Sequence, residues 1–244
     1  LILSPAFSHH VGPPHQATDL HTVAAQLGYP LVLKNNFGMG GHDVEKVFTP
    51  EALAQHAADF FNRTRAIALC PWVEARDEYR IVLLAQQPLL MFRKKRPQVT
   101  GDGHSQVAEL LFQHQLPLSL EQRRHALASL GAVANTIPAL GETVLLDWRH
   151  NLAFGAQPEV VTATDGLYPT LVALAQQAAQ ALGLVFCSVD ILTPKTGPVV
   201  IEVNSGVCLD RFAAALGPTG EALALGVYQQ ALVQLLGQRL GQPG

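Results

Sequence analysis

Charge is scarce in this chain: only 14% of its 244 residues are Asp, Glu, Lys or Arg, against 48% hydrophobic. That balance excludes a disordered segment, which combines high charge with low hydrophobicity. Basic residues are not in excess either. Sixteen Lys and Arg against nineteen Asp and Glu give a formal net charge of −3, so the electrostatic footprint of a nucleic-acid partner is lacking. No apolar run approaches bilayer length and no secretory signal opens the chain, which argues against a membrane protein. Cysteine is rare. Cys70, Cys187 and Cys208 are an odd number without C-x-x-C spacing, which argues for a reducing cytoplasm over a disulfide scaffold. The ten histidines are scattered, with only His9 and His10 adjacent, and read as surface or core residues. The densest basic run, Arg93-Lys94-Lys95-Arg96, is short and follows an apolar strand. A solvated strand end and a phosphate-facing role account for it equally well.

What is present is an alternation of short apolar runs and amphipathic stretches over a length that buries one substantial core or two small lobes. Residues 19–27 read as a helix with Thr18 as N-cap and Gly28 as its stop. A strand over residues 29–34 follows, then a glycine-rich turn, a strand over 44–48, and a helix opened by Thr49-Pro50-Glu51. Further strands are expected over 66–73, 79–85, 89–93 and 143–147. Helices are expected over 106–113, 120–130, 167–182, 209–216 and 220–240. The seam between lobes is expected near residues 72–77, giving domains 1–72 and 73–244.

The most informative stretch is a hairpin, Phe186-Cys187-Ser188-Val189-Asp190-Ile191-Leu192 returning through Pro198-Val199-Val200-Ile201-Glu202-Val203-Asn204. Glu202 and Asn204 share a face because strand side chains alternate. Folding about Thr196 sets Asp190 opposite Glu202, with Cβ atoms roughly 5 Å apart. Two like charges held so close call for a cation between them. Oxygen ligands of this kind suit Mg²⁺, which takes one or two carboxylates and completes its shell with phosphate and water. In isolation, a solvated hairpin has the same pattern.

Three other constellations point the same way. Gly38, Gly40 and Gly41 follow a strand that ends on Lys34, as in a phosphate cradle whose bare backbone N–H groups approach an anion. The loop has neither the P-loop nor the Rossmann spacing. Trp72-Val73-Glu74, then Glu78-Tyr79-Arg80, form an extended segment suited to an adenine edge, ribose hydroxyls and, through Arg80, a phosphate. Arg149, His150 and Asn151 crowd one polar turn after a strand; Arg149 suits a transferring phosphoryl group or a plain structural ion pair.

Taken in order, Lys34, the loop Gly38 to Gly41, Glu78-Tyr79-Arg80, Arg149-x-Asn151 and Asp190-x(11)-Glu202-x-Asn204 resemble an ATP-grasp ligase. The stretch from Arg96 through Gly101-Asp102-Gly103 to Leu111, and the turn Asn151-Leu152-x-x-Gly155, are similar to the ligase domains of cyanophycin synthetase and the bifunctional glutathione synthetases. The ribosomal-protein glutamate ligases are the next likeness. The resemblance implies an α+β ATP-grasp fold, with two lobes clasping a nucleotide. It implies ATP and one or two Mg²⁺ ions, with Mn²⁺ as a substitute, and a cytoplasmic carboxylate–amine ligase that forms an amide through an acylphosphate on an amino acid or peptide-like substrate.

In that likeness Lys34 contacts the α- or β-phosphate, and Gly38, Gly40 and Gly41 close over the phosphates. Trp72, Val73 and Glu74 line the adenine, with Glu78 on the ribose. Arg80, Arg149 and Asn151 serve the transferring group, and Asp190, Glu202 and Asn204 ligate the metal. The sequence departs from the family in the hinge, with Pro71 for a usual glutamate and Arg76 for a glycine, and at Val207-Cys208, which replaces a Pro-Gly in the segment that helps to hold the substrate. Leu1 stands where Met is usual, and the small α/β domain that precedes the first lobe in the family is not in the sequence. A fragment, a trimmed ligase, or a protein completed by a partner domain or second copy is therefore expected. The alternatives are a nucleotide-binding module without turnover and an ATP-grasp kinase.

Overall fold

The computed structural model describes residues 9–11, 17–35, 37, 43–113 and 116–240. The chain divides into two compact units, residues 1–75 and 76–244.

In the first unit, strand β1 (His9–Val11) precedes helix α1 (Ala17–Leu27), strands β2 (Leu31–Asn35) and β3 (Val44–Val47), helix α2 (Pro50–Phe61) and strand β4 (Ile67–Pro71). The strands form an antiparallel sheet in the order β1-β4-β2-β3. Helix α2 starts where its residues require. Thr49 is extended and its hydroxyl accepts from the Ala52 N–H, Pro50 fills the first turn, and Glu51 faces the positive helix end. Its buried stripe Leu53, Ala57 and Phe60 packs with Leu20 and Ala24 of α1 onto Leu31, Leu33, Val47, Ile67 and Leu69. Helix α1 begins at Ala17, so Thr18 lies inside the helix rather than capping it.

The second unit opens with strands β5 (Glu78–Leu84) and β6 (Gln87–Lys95), a tight hairpin whose loop is Ala85–Gln86. Both loop residues have positive φ, 45° and 68°, the geometry that matches hairpin twist. Neither is Gly or Asn, so no turn signal marked the loop. Strand β7 (Gln98–Thr100), helices α3 (Val107–Gln113) and α4 (Leu120–Leu130), and strands β8 (Thr143–Leu145) and β9 (Gln157–Val160) follow. Helix α5 (Tyr168–Ala181), strands β10 (Phe186–Leu192) and β11 (Val199–Asn204), and helices α6 (Asp210–Leu216) and α7 (Pro218–Leu240) complete it.

Its five-stranded sheet is antiparallel in the order β11-β10-β5-β6-β9, and β7 pairs with β8 alone. Strands β1, β7 and β9 were not expected. The first two are three residues long, and β9 carries Pro158, which restricts a strand to an edge.

The two sheet faces bury different partners. Tyr79, Ile81, Leu83, Met91, Cys187, Val189 and Ile191 pack on Leu171, Ala175, Ala178 and Ala179 of α5. Val82, Leu90 and Phe92 point to the other face, against Phe212 of α6 and Ala224 and Val227 of α7. This second face is apolar only at one end; its other end carries charge. Among the described residues, no helix is long and apolar enough to cross a membrane.

Candidate functional site

The charged end of that face is built by strand alternation. Antiparallel register sets Glu202 of β11 opposite Asp190 of β10, and Asp190 opposite Arg80 of β5. Glu78, two residues before Arg80, lies opposite Lys94 of β6. Side chains two apart share a face, so Glu78, Arg80, Lys94, Asp190, Glu202 and Asn204 converge on one surface. A register shift after Asp190 sets Ile191 against Val200, so the pairing changes immediately beyond the acid pair.

Asp190 is the hub. Arg80 grips its carboxylate with both ends of its fork, Nε to Oδ1 at 2.8 Å and Nη2 to Oδ2 at 2.6 Å. The Lys94 ammonium lies 3.0 Å from Oδ2 and donates to Glu78 Oε1 at 2.5 Å. These charges sit deep: side-chain exposure is 3% at Asp190, 6% at Lys94 and 12% at Glu78. Such burial is tolerated only where each charge is matched, and here two acids meet two bases. They share unequally. Burial by itself raises the Asp190 carboxyl, but Lys94 and Arg80 outweigh it and hold it well below the usual carboxylate range. At Glu78 burial outweighs the opposing pull of Lys94 and, more weakly, Arg80, so its carboxyl is lifted above the ordinary value, with Asp190 adding to the rise. Burial also opposes the charge on Arg80, which Asp190, Glu78 and Glu202 restore and strengthen.

Glu202 is exposed and Asn204 half-buried at the open side of this cluster. Ser188, opposite Asn204 and two residues before Asp190, is 1% exposed, and its Oγ makes no hydrogen bond. An unsatisfied buried hydroxyl is costly unless a ligand or water completes it. Asp190, Glu202, Asn204 and Ser188 offer only oxygen donors, the chemistry of a hard divalent ion that needs few carboxylates. Among the described residues, no three His, Cys, Asp or Glu side chains group as a metal cage. The set therefore fits an ion that keeps water or phosphate oxygens in its shell, provided Asp190 shares its oxygens with Arg80 and Lys94 or is released by them.

The turn after β8 is anchored beside this surface, since His150 Nδ1 lies 3.0 Å from the Lys94 carbonyl oxygen. Within it, the Arg149 guanidinium stacks over the Trp148 and Phe154 rings and lies 3.5 Å from the fully buried Asp147 carboxylate and 2.7 Å from His125 Nε2. The Asn151 side-chain oxygen accepts from the Ala153 N–H at 2.8 Å and caps a short 3₁₀ turn.

In the first unit, Lys34 stands near the end of β2, half-buried, opposite Val44 and Ala68. Gly38, Gly40 and Gly41 lie outside the described residues. After β4, the Trp72 N–H donates to the Pro30 carbonyl at 2.9 Å, and Lys46 stands 3.7 Å above the Trp72 ring. Val73 is half-buried and Glu74 exposed.

Lys94 was not singled out from the sequence. Strand alternation gives only its side, with Leu90 and Phe92; that Lys94 is buried against acids while Arg93 and Lys95 meet Glu159 on the other face follows from the strands that flank β6. Ser188 carried no comparable signal, because its environment comes from neighbouring strands.

Residues 133–220 match the model of the RimK-like ATP-grasp domain. The chain is 27% identical over 183 residues to the glutathione biosynthesis bifunctional protein GshAB of Streptococcus agalactiae, covering 68% of this chain and 24% of that protein. It is 25% identical over 216 residues to the cyanophycin synthetase of Geminocystis herdmanii, covering 78% and 24%. The solved D-alanine–D-alanine ligase of Bacillus anthracis superposes on 92% of this chain and 61% of its own at a TM-score of 0.56 and 14% identity. The chain thus spans about a quarter of the length of these curated relatives.

Proposed function

We propose that this chain, which has the ATP-grasp fold with a RimK-like stretch at residues 133–220, is the catalytic part of an ATP-dependent carboxylate–amine ligase. The observation that carries the reading is the register of Asp190 against Glu202, with Asn204 on the same face and two cationic side chains beside them. Oxygen ligands next to a guanidinium and an ammonium are what a metal–polyphosphate complex demands. The sequence similarity to the bifunctional glutathione protein and to cyanophycin synthetase supports an amino acid or peptide-like carboxylate and an amine as substrates.

In this reading Asp190, Glu202 and Asn204 hold Mg²⁺, which when bound neutralises phosphate charge and polarises the transferring group. Arg80 and Arg149 carry positive charge to the phosphoryl oxygens, and Asn151 shapes the turn that presents Arg149. In the first unit, Lys34 and the glycines Gly38, Gly40 and Gly41 contact phosphate. Trp72, Val73 and Glu74 meet adenine, and Glu78 is released from Lys94 to meet ribose. The substrate carboxylate attacks the γ-phosphorus of ATP and ADP leaves. The amine nitrogen then attacks the acylphosphate carbon, loses a proton, and expels phosphate to leave an amide. Positioning and charge neutralisation do most of this work, so no side-chain nucleophile is required.

The test is the release of ADP and phosphate by purified protein, with amino acid and peptide carboxylates, with and without amines. A ligase releases ADP in proportion to amide formed. ADP release with a stable phosphorylated product and no amine requirement indicates a kinase instead, and tight nucleotide binding without release indicates a binding module. Lys34→Ala should weaken ATP binding about tenfold, the scale of one lost charge-assisted phosphate contact. Calorimetry showing unchanged affinity removes Lys34 from the site.

A further inference from the structure

We infer that His125 is a positioning residue for Arg149, whose guanidinium it holds only while the ring nitrogen shared between Arg149 and Asp147 carries no proton. The inference rests on the phosphoryl role given to Arg149 above, and adds to it a residue from another element and an acid limit. His125 stands on α4, 24 positions before Arg149. Its Nε2 lies 2.7 Å from Arg149 Nη1 and 3.0 Å from Asp147 Oδ2. A guanidinium only donates and a carboxylate only accepts, so this one nitrogen serves one neighbour at a time. Without a proton it accepts from Arg149. With a proton it donates to Asp147, and the imidazolium sets a second positive charge against the guanidinium.

The surroundings decide which of the three groups gives way. Asp147 is fixed, because its side chain is fully buried and its Oδ1 accepts from the Arg149 backbone N–H at 2.8 Å. The His125 ring is packed on Phe154, with centroids 4.3 Å apart. The guanidinium lies 4.8 Å from the Phe154 ring and 4.9 Å from the Trp148 ring, contacts that a long side chain can leave. One buried carboxylate balances one cation, and Arg149 already supplies it. On α4 itself, Glu121 stands one turn before His125, Arg124 adjoins it, and Arg123 donates to the Leu116 and Leu118 carbonyls. On α3, which packs against α4, Glu109 accepts from the Gln106 N–H. The neighbouring 3₁₀ turns, Gly131–Asn135 and Leu152–Phe154, carry no charge. Side-chain exposure is 33% at His125, 11% at Arg149 and none at Asp147, so protons from water reach the ring first.

Trp148 reads the guanidinium without any ligand. In the full chain carrying Trp72→Phe it is the single tryptophan. Its emission should change as Arg149 leaves the ring between pH 8 and pH 5, the range in which imidazoles take up a proton, with circular dichroism unchanged. In that parent at pH 8, His125→Leu should show the emission of the acid form. His125→Gln should match the parent, since its amide oxygen accepts from Arg149. In chains that keep Trp72, His125→Leu should lower kcat for ADP release about tenfold, the scale of one charge-assisted contact, with the KM for ATP within about twofold. His125→Gln should restore most of that rate. Emission that is flat with pH in the folded parent overturns the inference. So does parent-like emission at pH 8, or an unchanged kcat, in a folded His125→Leu. The pH scan of the parent decides the matter even if His125→Leu does not fold. A His125-dependent change of emission in a chain that never forms an amide would sink the ligase reading and leave the hold on Arg149 standing. Amide formation with flat emission would do the reverse.

Discussion

Asp190→Asn is expected to lower ATP turnover by about 10³-fold or more, since several kcal/mol of charge stabilisation at the transferring group depend on a held metal ion. The same change should destabilise the second unit by about 3–5 kcal/mol, because it strands buried cations whose acid partner is gone. Arg80 and Lys94 lose the shared negative charge and one of the two acceptor oxygens, which leaves a single neutral amide oxygen between them and Glu78 as the remaining acid beside Lys94. Urea unfolding, followed at Trp148 in a Trp72→Phe background, reads the second unit alone. The loss should depend on pH. The Asp190 carboxyl is held low by Lys94 and Arg80 against burial, so its contribution is complete above the ordinary carboxylate range and is lost as pH falls through the folded value. The gap between wild type and Asp190→Asn should therefore be widest near neutrality and shrink below about pH 4. A gap that stays constant down to pH 2 contradicts the ion-pair account. Glu78, lifted by burial, contributes with the opposite sign.

Glu202→Gln should separate function from stability. Glu202 lies opposite Asp190 but is exposed, so an isosteric amide leaves packing intact and stability within about 0.5 kcal/mol of wild type. Turnover should nevertheless fall by two to three orders of magnitude, about 3–4 kcal/mol, because one charged oxygen ligand of the ion is gone. Raised Mn²⁺ should recover part of the rate if the defect is in metal affinity. Full turnover in both Asp190→Asn and Glu202→Gln, each shown to be folded, would remove the metal assignment and leave the acid pair as a piece of sheet electrostatics. Loss of stability in Glu202→Gln would mean that the exposed acid supports the buried cluster.

The contrast between these two acids was not legible in the sequence, although their pairing was. Alternation and a turn at Thr193–Gly197 sufficed to place Asp190 across from Glu202, because hairpin register is local and a slip of one residue turns every side chain over. The helix opened by Thr49 and Pro50 is local in the same sense. Thr18 misled because a residue with capping chemistry is also tolerated inside a helix, and helix ends read from sequence shift by a residue or two. Strand β9 escaped because Pro158 argues against a strand until an edge position is known.

The order of elements, the apolar stripes, the facing acids of the hairpin and the likeness to ATP-grasp ligases follow from residues close together in the chain, since turns, caps and strand alternation act over a few positions. Tertiary structure alone decided that β5 and β6 lie between β10 and β9. That arrangement brings Arg80 and Lys94, separated from Asp190 by 110 and 96 positions, onto its carboxylate. Burial and charge balance are sums over neighbours from distant segments. Until the sheet order is known, a lysine in a basic run cannot be told from a solvated one, nor a gripped aspartate from a free one.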